Sequence, residues 1–173
     1  FGCDSPVSAD ITVTVNPQPD PPEIAADGPL EFCEGESVTL TAGGDFVSYT
    51  WNDGVTGKER VVDASGVYSV FVEDANGCVG GYSDSVEVTE LALPAQPVVT
   101  PPGPLVMFMG ETIRLTSSQA AAYLWSPGGD TTRSVDVVSA GDYAVVVENE
   151  SGCRSIVSET VSVTVSEFLP PPE

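Results

Sequence analysis

Four cysteines and a large excess of carboxylates are the residues of this chain best able to carry chemistry. There are 26 Asp and Glu residues against five Lys and Arg, there is no His, and the formal net charge is −21. Three cysteines, Cys3, Cys78 and Cys153, follow one another at intervals of 75 residues. Without histidine the commonest general base is missing, and no glycine-rich phosphate loop is present. We therefore predict cross-linking or ion binding and no enzyme activity.

Oxygen-bearing side chains near turns are the candidate metal ligands. Asp74 and Asn76 lie at a predicted hairpin turn, and Asp20 and Glu23 lie at a proline-rich seam. Carboxylate and amide oxygens suit Ca²⁺, so we expect no cofactor other than a possible calcium ion. No loop resembles an EF-hand, however, and Asn76-Gly77 is by itself a strong hairpin-turn signal. Ligands and ordinary turn residues both remain open as interpretations.

The negative charge and the short apolar runs argue against two classes of partner. A surface this acidic repels phosphate backbones and anionic lipids, so we expect no nucleic-acid binding. No apolar run approaches the ~20 residues that a membrane helix needs, so we expect no direct membrane insertion. The chain begins with Phe, and we interpret it as a piece of a longer, processed protein.

An internal repeat of 75 residues organises the chain. The segment PLEFCEGESVTLTA, from residue 29, matches PLVMFMGETIRLTS, from residue 104, and ASGVYSVFVEDANGC matches SAGDYAVVVENESGC at the same interval. The opening FGCDSPVSADITVTVNP aligns with NGCVGGYSDSVEVTELA, which ends the first repeat. We therefore predict the last strand of a preceding repeat with its linker at 1–17, two whole repeats at 18–92 and 93–167, and a linker to a following repeat at 168–173.

Within each repeat, apolar residues alternate with a period of two, which predicts short β-strands separated by turns. Such strands indicate antiparallel β-sandwiches. One Trp follows each VTLTA-type strand by about ten residues, and the Gly-X-Tyr spacing is typical of a tyrosine corner, which points to the immunoglobulin-like version. We predict an all-β fold of tandem immunoglobulin-like sandwiches. The predicted core residues are Trp51, Trp125, Tyr68 and Tyr143.

The order CEGESVTLTA, YTW, SGVYSVFVEDANGC, SVEVTE resembles the Ig-like (PKD-like) tandem repeats of large bacterial surface and secreted proteins, including gliding adhesins exported by the type IX route. The resemblance implies an extracellular protein, at the bacterial cell surface or secreted. It implies a structural role in a stalk, adhesin or surface filament. The implied partners are neighbouring repeats of the same polypeptide and neighbours in a homopolymer or filament. A calcium- or carbohydrate-dependent adhesion module is the alternative.

Export implies oxidising surroundings, in which cysteines pair. A Cys33–Cys153 bond would join the two repeats and leave Cys3 and Cys78 for cysteines of upstream repeats. A Cys33–Cys78 bond would stay within one repeat, but its cysteines flank turns expected at opposite ends of a sandwich, and a disulfide needs Cα atoms within ~7 Å. In the second repeat Phe108 stands where Cys33 stands in the first. The sequence leaves both pairings open.

Three short motifs match glycosylation sites. The segment 149–151, Asn-Glu-Ser, fits the N-linked sequon at Asn149. The segments DSV at 84–86 and DTT at 130–132 resemble the short O-glycosylation motif of proteins exported by bacteria of this type. The corresponding acceptors would be Ser85 and Thr131, which are otherwise ordinary residues of strand edges.

Overall fold

The computed structural model describes residues 2–3 and 5–167, and every regular element within them is a β-strand. In chain order the strands are β1 (Ile24–Ala26), β2 (Glu31–Cys33), β3 (Val38–Ala42), β4 (Ser48–Trp51), β5 (Glu59–Val62), β6 (Gly66–Tyr68), β7 (Val70–Glu73), β8 (Val86–Leu91), β9 (Val99–Thr100), β10 (Leu105–Phe108), β11 (Ile113–Ser117), β12 (Ala122–Ser126), β13 (Ser134–Val137), β14 (Gly141–Glu148) and β15 (Val161–Ser166). The prediction of an all-β fold is confirmed. None of these described residues forms a helix able to cross a membrane.

Contacts divide the chain into two compact units. Unit 1 consists of Phe1–Leu30 and Ser37–Thr89, and unit 2 consists of Glu31–Glu36 and Glu90–Glu173. The short segment 31–36 thus lies in the first sequence repeat but belongs to unit 2. The predicted repeat limits, 18–92 and 93–167, remain predictions. The predicted linker at 168–173 lies outside the described residues.

The opening segment carries no strand in the structure, because β1 is the first strand among the described residues. The alternating apolar residues of this segment are strongly exposed: Val7 at 96%, Ile11 at 89%, Val13 at 81% and Val15 at 87%. A strand needs a partner for its backbone N–H and C=O groups. That 1–17 is the last strand of a preceding repeat therefore remains a prediction.

Unit 1 is built from short strands that bury alternate residues. Strand β3 lies between β1 and β5, with Ala26 opposite Leu40 and Val38 opposite Val62. Strand β4 pairs with β7, and β6 pairs with β8, all antiparallel. In β3 the residues Val38, Leu40 and Ala42 are all buried, as the period of two predicts.

Unit 2 contains a sheet ordered β13-β11-β9 and a second sheet ordered β10-β15-β14-β12. Most pairs are antiparallel, but β10 runs parallel to β15, with Leu105 opposite Val163 and Met107 opposite Val165. This pair departs from the purely antiparallel arrangement expected from the sequence. Buried side chains from both sheets form the core: Val99, Met107, Leu115, Trp125, Val137, Tyr143, Val145, Val147, Val161 and Val163.

Candidate functional site: the Cys33–Cys153 disulfide

The first half of the site is a tight turn at the end of β14, here called the Cys153 turn (residues 148–154). The Asn149 side-chain oxygen accepts hydrogen bonds from the backbone N–H groups of Ser151 (3.1 Å) and Cys153 (3.0 Å). The Gly152 N–H donates to Asn149 O over 3.1 Å, with φ of 82° at Gly152. Asn readily forms such side-chain turns, and glycine tolerates the left-handed backbone. The turn therefore fixes where the Cys153 sulfur lies.

The second half of the site is the turn that follows β2. The Glu36 N–H donates to Cys33 O over 2.9 Å, and the Glu36 carboxylate accepts from the Cys33 N–H over 3.2 Å. Gly35, with φ of 88°, makes the tight bend possible. The Glu34 N–H donates to Leu91 O over 2.8 Å, which holds the turn against the end of β8.

The two turns meet in a disulfide between Cys33 and Cys153. The S–S distance is 2.02 Å, the Cα–Cα distance is 5.6 Å, and 120 residues separate the two cysteines in sequence. This separation of the Cα atoms lies within the usual range for a disulfide. Cys153 is fully buried. Of the two pairings that the sequence left open, the structure contains the one between the sequence repeats.

Charged side chains surround the disulfide in unit 2. A shallow cavity beside it is lined by Cys33, Glu34, Glu36, Leu93, Glu148, Gly152 and Arg154. Arg154 Nε lies 3.4 Å from Glu148 Oε2 in an exposed ion pair, which contributes little stability by itself. The guanidinium is a single positive charge beside three carboxylates. The Asn149 side-chain N–H also donates to Ala92 O over 3.1 Å and ties the Cys153 turn to the preceding linker.

Unit 1 contains an equivalent turn, here called the Cys78 turn (residues 73–79). The Asp74 carboxylate accepts from the N–H groups of Asn76 (2.8 Å) and Cys78 (2.9 Å). These hydrogen bonds, above all the one from the Cys78 backbone, lower the pKa of the Asp74 carboxyl. Cys78 is a free, half-buried thiol, and the exposed Cys3 is also free.

The predicted calcium ligands are not brought together by the structure. Asp74 and Asn76 bind each other and the turn backbone, whereas Asp20 and Glu23 are exposed residues before β1. Among residues 2–3 and 5–167, no group of three or more His, Cys, Asp or Glu side chains is placed to hold a metal ion. A calcium role for these four residues stays an untested prediction.

The predicted core residues all lie inside the units. Trp51 and Trp125 are each 1% exposed, and their indole N–H groups donate to Gly57 O (3.0 Å) and Thr132 O (2.9 Å). Tyr68 and Tyr143 are also buried. Their hydroxyls reach back four residues, to Ala64 O over 3.1 Å and to Ser139 O over 3.0 Å, which is the geometry of a tyrosine corner.

Buried serines before the last strand of each unit were missed by sequence reasoning. Ser83 and Ser158 are 7% and 4% exposed, and their hydroxyls accept from the N–H groups of Val70 (3.1 Å) and Val145 (3.0 Å). The Ser155 hydroxyl likewise accepts from the Val147 N–H over 3.1 Å. A side-chain oxygen therefore replaces the carbonyl of a missing strand partner. Ser83 and Ser158 recur at the 75-residue repeat interval, and this recurrence could have indicated a shared structural role.

The candidate glycosylation residues lie in different settings. Ser85 and Thr131 are exposed, as a modified hydroxyl must be. Asn149 is half-buried; its amide oxygen accepts hydrogen bonds within the Cys153 turn, and its amide N–H donates to Ala92 O in the preceding linker. Modification at these three positions remains a prediction.

A partly exposed aromatic pair lies in unit 1. The rings of Phe71 and Tyr82 meet edge to face, with centroids 5.1 Å apart, and Tyr82 is 55% exposed. Tyr82 also lines a cavity. The residues lining it are Pro21, Pro22, Glu23, Ile24, Tyr82, Asp84, Ser85 and Val86. No pattern in the sequence indicates that Tyr82, Glu23 and Asp84 share one cavity.

Comparison with known proteins finds similar solved structures and no matching family. No family model matches the chain, and no curated protein matches its sequence. Similar solved structures are immunoglobulin-like and fibronectin-III-like β-sandwiches. They include the fibronectin(III)-like modules of Clostridium thermocellum CbhA (14% identity, TM-score 0.43, 83% of this chain and 94% of that chain). They also include the human OSCAR ligand-binding domain (16%, 0.36, 84% and 98%) and a 1.5-MDa bacterial ice-binding adhesin (17%, 0.40, 87% and 66%). At these identities and TM-scores the likeness assigns neither a family nor a role to this chain.

Proposed function

We propose that this chain is a non-catalytic structural segment of an extracellular stalk, adhesin or surface filament of a bacterium. Its partners in this proposal are neighbouring Ig-like repeats. The observation that carries the proposal is the Cys33–Cys153 bond, which crosses from one sequence repeat to the next. Disulfides persist in oxidising, extracellular surroundings. The net charge of −21 favours the solubility of a surface protein.

The disulfide changes how the chain would carry tension. Force applied to the two ends passes along the backbone to Cys33, through the sulfur atoms, and on from Cys153. The residues between these cysteines are bypassed, so they cannot be extended while the bond is intact. A covalent bypass of this kind is useful in a protein that is pulled and has no evident use in a soluble enzyme.

The size of the bypass follows from the sequence separation. Fully extended residues span about 3.3–3.6 Å each, so the 120-residue separation corresponds to roughly 400 Å of chain that tension cannot release. Only the segments before Cys33 and after Cys153 can lengthen. On the side of Cys153, β15 is therefore the strand of unit 2 that tension reaches first, and on the side of Cys33 it is β2.

Single-molecule pulling from the two ends tests the proposal. We expect the reduced protein to release roughly 400 Å more contour length than the oxidised protein, as one or more additional unfolding events. Cys78→Ser is the matched control, because Cys78 occupies the same kind of turn without a bond, and it should leave the oxidised trace unchanged. Equal extension with and without reductant would mean that the disulfide does not carry the load, and the stalk role would lose its basis.

The cavity around Tyr82 supports a second candidate, carbohydrate recognition in an adhesin. An exposed aromatic ring offers an apolar face, and the nearby carboxylates of Glu23 and Asp84 are strong hydrogen-bond acceptors for sugar hydroxyls. Any ligand specific for the folded state raises the unfolding temperature. This role would be favoured by a glycan that raises the unfolding temperature of the wild type but not of Tyr82→Ala. Phe46→Ala is the control, and its unfolding temperature should rise as that of the wild type does. No shift with any glycan would remove the only support for it.

A further inference from the structure

The two sulfur atoms of the Cys33–Cys153 bond differ in their access to solvent. Cys153 is 0% exposed, whereas Cys33 is half-buried. The cavity beside the bond has a volume of about 560 Å³ and lies wholly within unit 2, and its lining residues include Cys33 but not Cys153. A small molecule that enters this cavity from solvent therefore reaches the sulfur of Cys33 first.

Charged side chains give this cavity a negative potential. Its charged lining residues are Glu34, Glu36, Glu148 and Arg154. The Glu36 carboxylate accepts a hydrogen bond from the Cys33 N–H over 3.2 Å, which keeps a negative charge beside Cys33. Arg154 Nε lies 3.4 Å from Glu148 Oε2, so the positive charge is paired with one of the three carboxylates. An incoming molecule therefore meets the negative charges of Glu34 and Glu36, which are both exposed.

Thiol–disulfide exchange is the reaction that this cavity governs. A thiolate, RS⁻, attacks the sulfur of Cys33 and forms a new S–S bond to it. The Cys33–Cys153 bond breaks, and its electron pair leaves on the sulfur of Cys153, which then takes a proton from water. The thiol is the only co-reactant, and the number of disulfide bonds does not change.

We propose that Cys33 is the sulfur at which this disulfide exchanges with thiols, and that the carboxylates of the cavity select the thiol by its charge. Thiols that carry a cationic group are attracted, and thiols that carry an additional anionic group are repelled. The bond therefore exchanges slowly with anionic thiols and persists in their presence. This selectivity goes beyond the structural role proposed above and does not depend on it.

The size of the effect follows from Coulomb's law. A unit charge about 6 Å from the charged group of a thiol changes the exchange rate by about three-fold in water at low salt. The rates of a cationic and an anionic thiol move in opposite directions, so each exposed carboxylate changes the ratio of the two rates by up to about ten-fold. At about 1 M salt the Debye length is about 3 Å, and the selectivity should largely disappear.

The first measurement identifies the attacked sulfur. The variant with Cys3→Ser and Cys78→Ser leaves Cys33 and Cys153 as the two cysteines of the chain. The folded variant is mixed with cysteamine, the exchange is stopped with acid at early times, and the peptides are mapped. We expect about ten-fold more cysteamine adduct on Cys33 than on Cys153. Equal amounts on both, an excess on Cys153, or no adduct on Cys33 would overturn the assignment.

The second measurement tests the selection by charge. Exchange rates are measured with cysteamine, which is cationic, and with mercaptoethanesulfonate, which is anionic. Each rate is divided by the rate of the same thiol with hydroxyethyl disulfide, a neutral reference, so that the intrinsic reactivity of the thiol cancels. We expect the corrected ratio of the cationic to the anionic rate to be about ten or more at low salt and to approach one at about 1 M salt.

Two substitutions should move this ratio in opposite directions. Glu36→Gln keeps an acceptor for the Cys33 N–H but removes a negative charge, so the ratio should fall by about three-fold or more. Arg154→Gln removes the positive charge of the lining, so the ratio should rise by about three-fold. Glu111→Gln is the matched control and should leave the ratio unchanged. Glu111 accepts the equivalent backbone hydrogen bond in the turn after β10, over 2.9 Å, and does not line the cavity.

Three outcomes would overturn the selection by charge: a ratio near one at low salt, a ratio that salt does not change, or equal effects of Glu36→Gln and Glu111→Gln. The pulling experiment compares the fully oxidised protein with the fully reduced protein and does not depend on which thiol reduces the bond. Failure of this proposal is therefore distinguishable from failure of the structural role.

Discussion

The buried hydroxyl of Ser158 is expected to hold the last strand of unit 2 in place. Ser158 and Val145 exchange two hydrogen bonds: the Val145 N–H donates to Ser158 Oγ over 3.0 Å, and the Ser158 N–H donates to Val145 O over 2.9 Å. The hydroxyl itself donates to Glu159 O over 2.9 Å. Ser158→Ala removes the hydroxyl and leaves the buried Val145 N–H without its acceptor.

The magnitude follows from the burial of the two residues. Ser158 is 4% exposed and Val145 is 0% exposed, so the orphaned N–H cannot be compensated by solvent. Leaving a buried donor unsatisfied costs about 1–3 kcal/mol. With a urea slope of about 1–3 kcal/mol per molar, we expect the midpoint of unfolding of unit 2 to fall by about 1 M.

The two tryptophans allow the assay to follow unit 2 alone. The chain has one Trp in each unit, so a Trp51→Phe background leaves Trp125 as the fluorescent reporter. Urea unfolding is measured for Ser158→Ala in this background. Ser151→Ala is the control, because Ser151 is an exposed serine of the Cys153 turn, and it should change the stability by less than about 0.5 kcal/mol.

Two outcomes would contradict this reasoning. If Ser158→Ala unfolded within about 0.5 kcal/mol of its parent, the hydroxyl would not be the acceptor that the Val145 N–H requires. If the exposed-serine control lost as much stability, the effect would be one of serine in general. Either result would remove the assignment of Ser158 as a substitute for a strand partner.

The disulfide and the acidic side chains give two further predictions. Chain entropy for a 120-residue loop predicts that the double variant Cys33→Ser, Cys153→Ser loses up to about 5 kcal/mol in the free energy of unfolding measured in urea. Cys78→Ser should lose less than about 0.5 kcal/mol. Equal losses would contradict the disulfide seen in the structure. Asp27 has its pKa lowered chiefly by the hydrogen bond from the Thr39 backbone. Because the folded pKa lies below the unfolded value, the stabilisation is present above about pH 4 and is lost as the pH falls through the folded pKa. With Asp27→Asn, the urea midpoint should therefore fall less between pH 5 and pH 2 than it does in the wild type. An equal fall in both proteins would refute a stabilising role for the ionised Asp27.

Much of the fold could be predicted because its causes are local in sequence. The alternation in VTLTA and AVVVE determines which side chains of β3 and β14 are buried, since successive residues of a strand face opposite sides. The corner tyrosines act over four residues, and the turns at Asp74 and Asn149 act over similarly short distances. These features need no knowledge of distant parts of the chain.

Other features depend on residues far apart in sequence and could not be predicted in the same way. The parallel pairing of β10 with β15 joins residues 58 positions apart, and nothing in PLVMF indicates it. The cavity that combines Tyr82 with Glu23 brings together segments about 60 residues apart. Ser158 looked like a polar residue before a strand, and only its position beside Val145 shows that it is buried and necessary.

The sequence by itself determined the 75-residue repeat, the all-β class and the cysteines available for pairing, because periodicity and composition are properties of the chain. The tertiary structure decided which cysteine Cys33 bonds. That choice depends on two Cα atoms coming within 5.6 Å across 120 residues, and such a distance is fixed by packing rather than by any local pattern. Residues 31–36 belong to unit 2, and the bond within that unit makes a covalent path that bypasses the residues between Cys33 and Cys153.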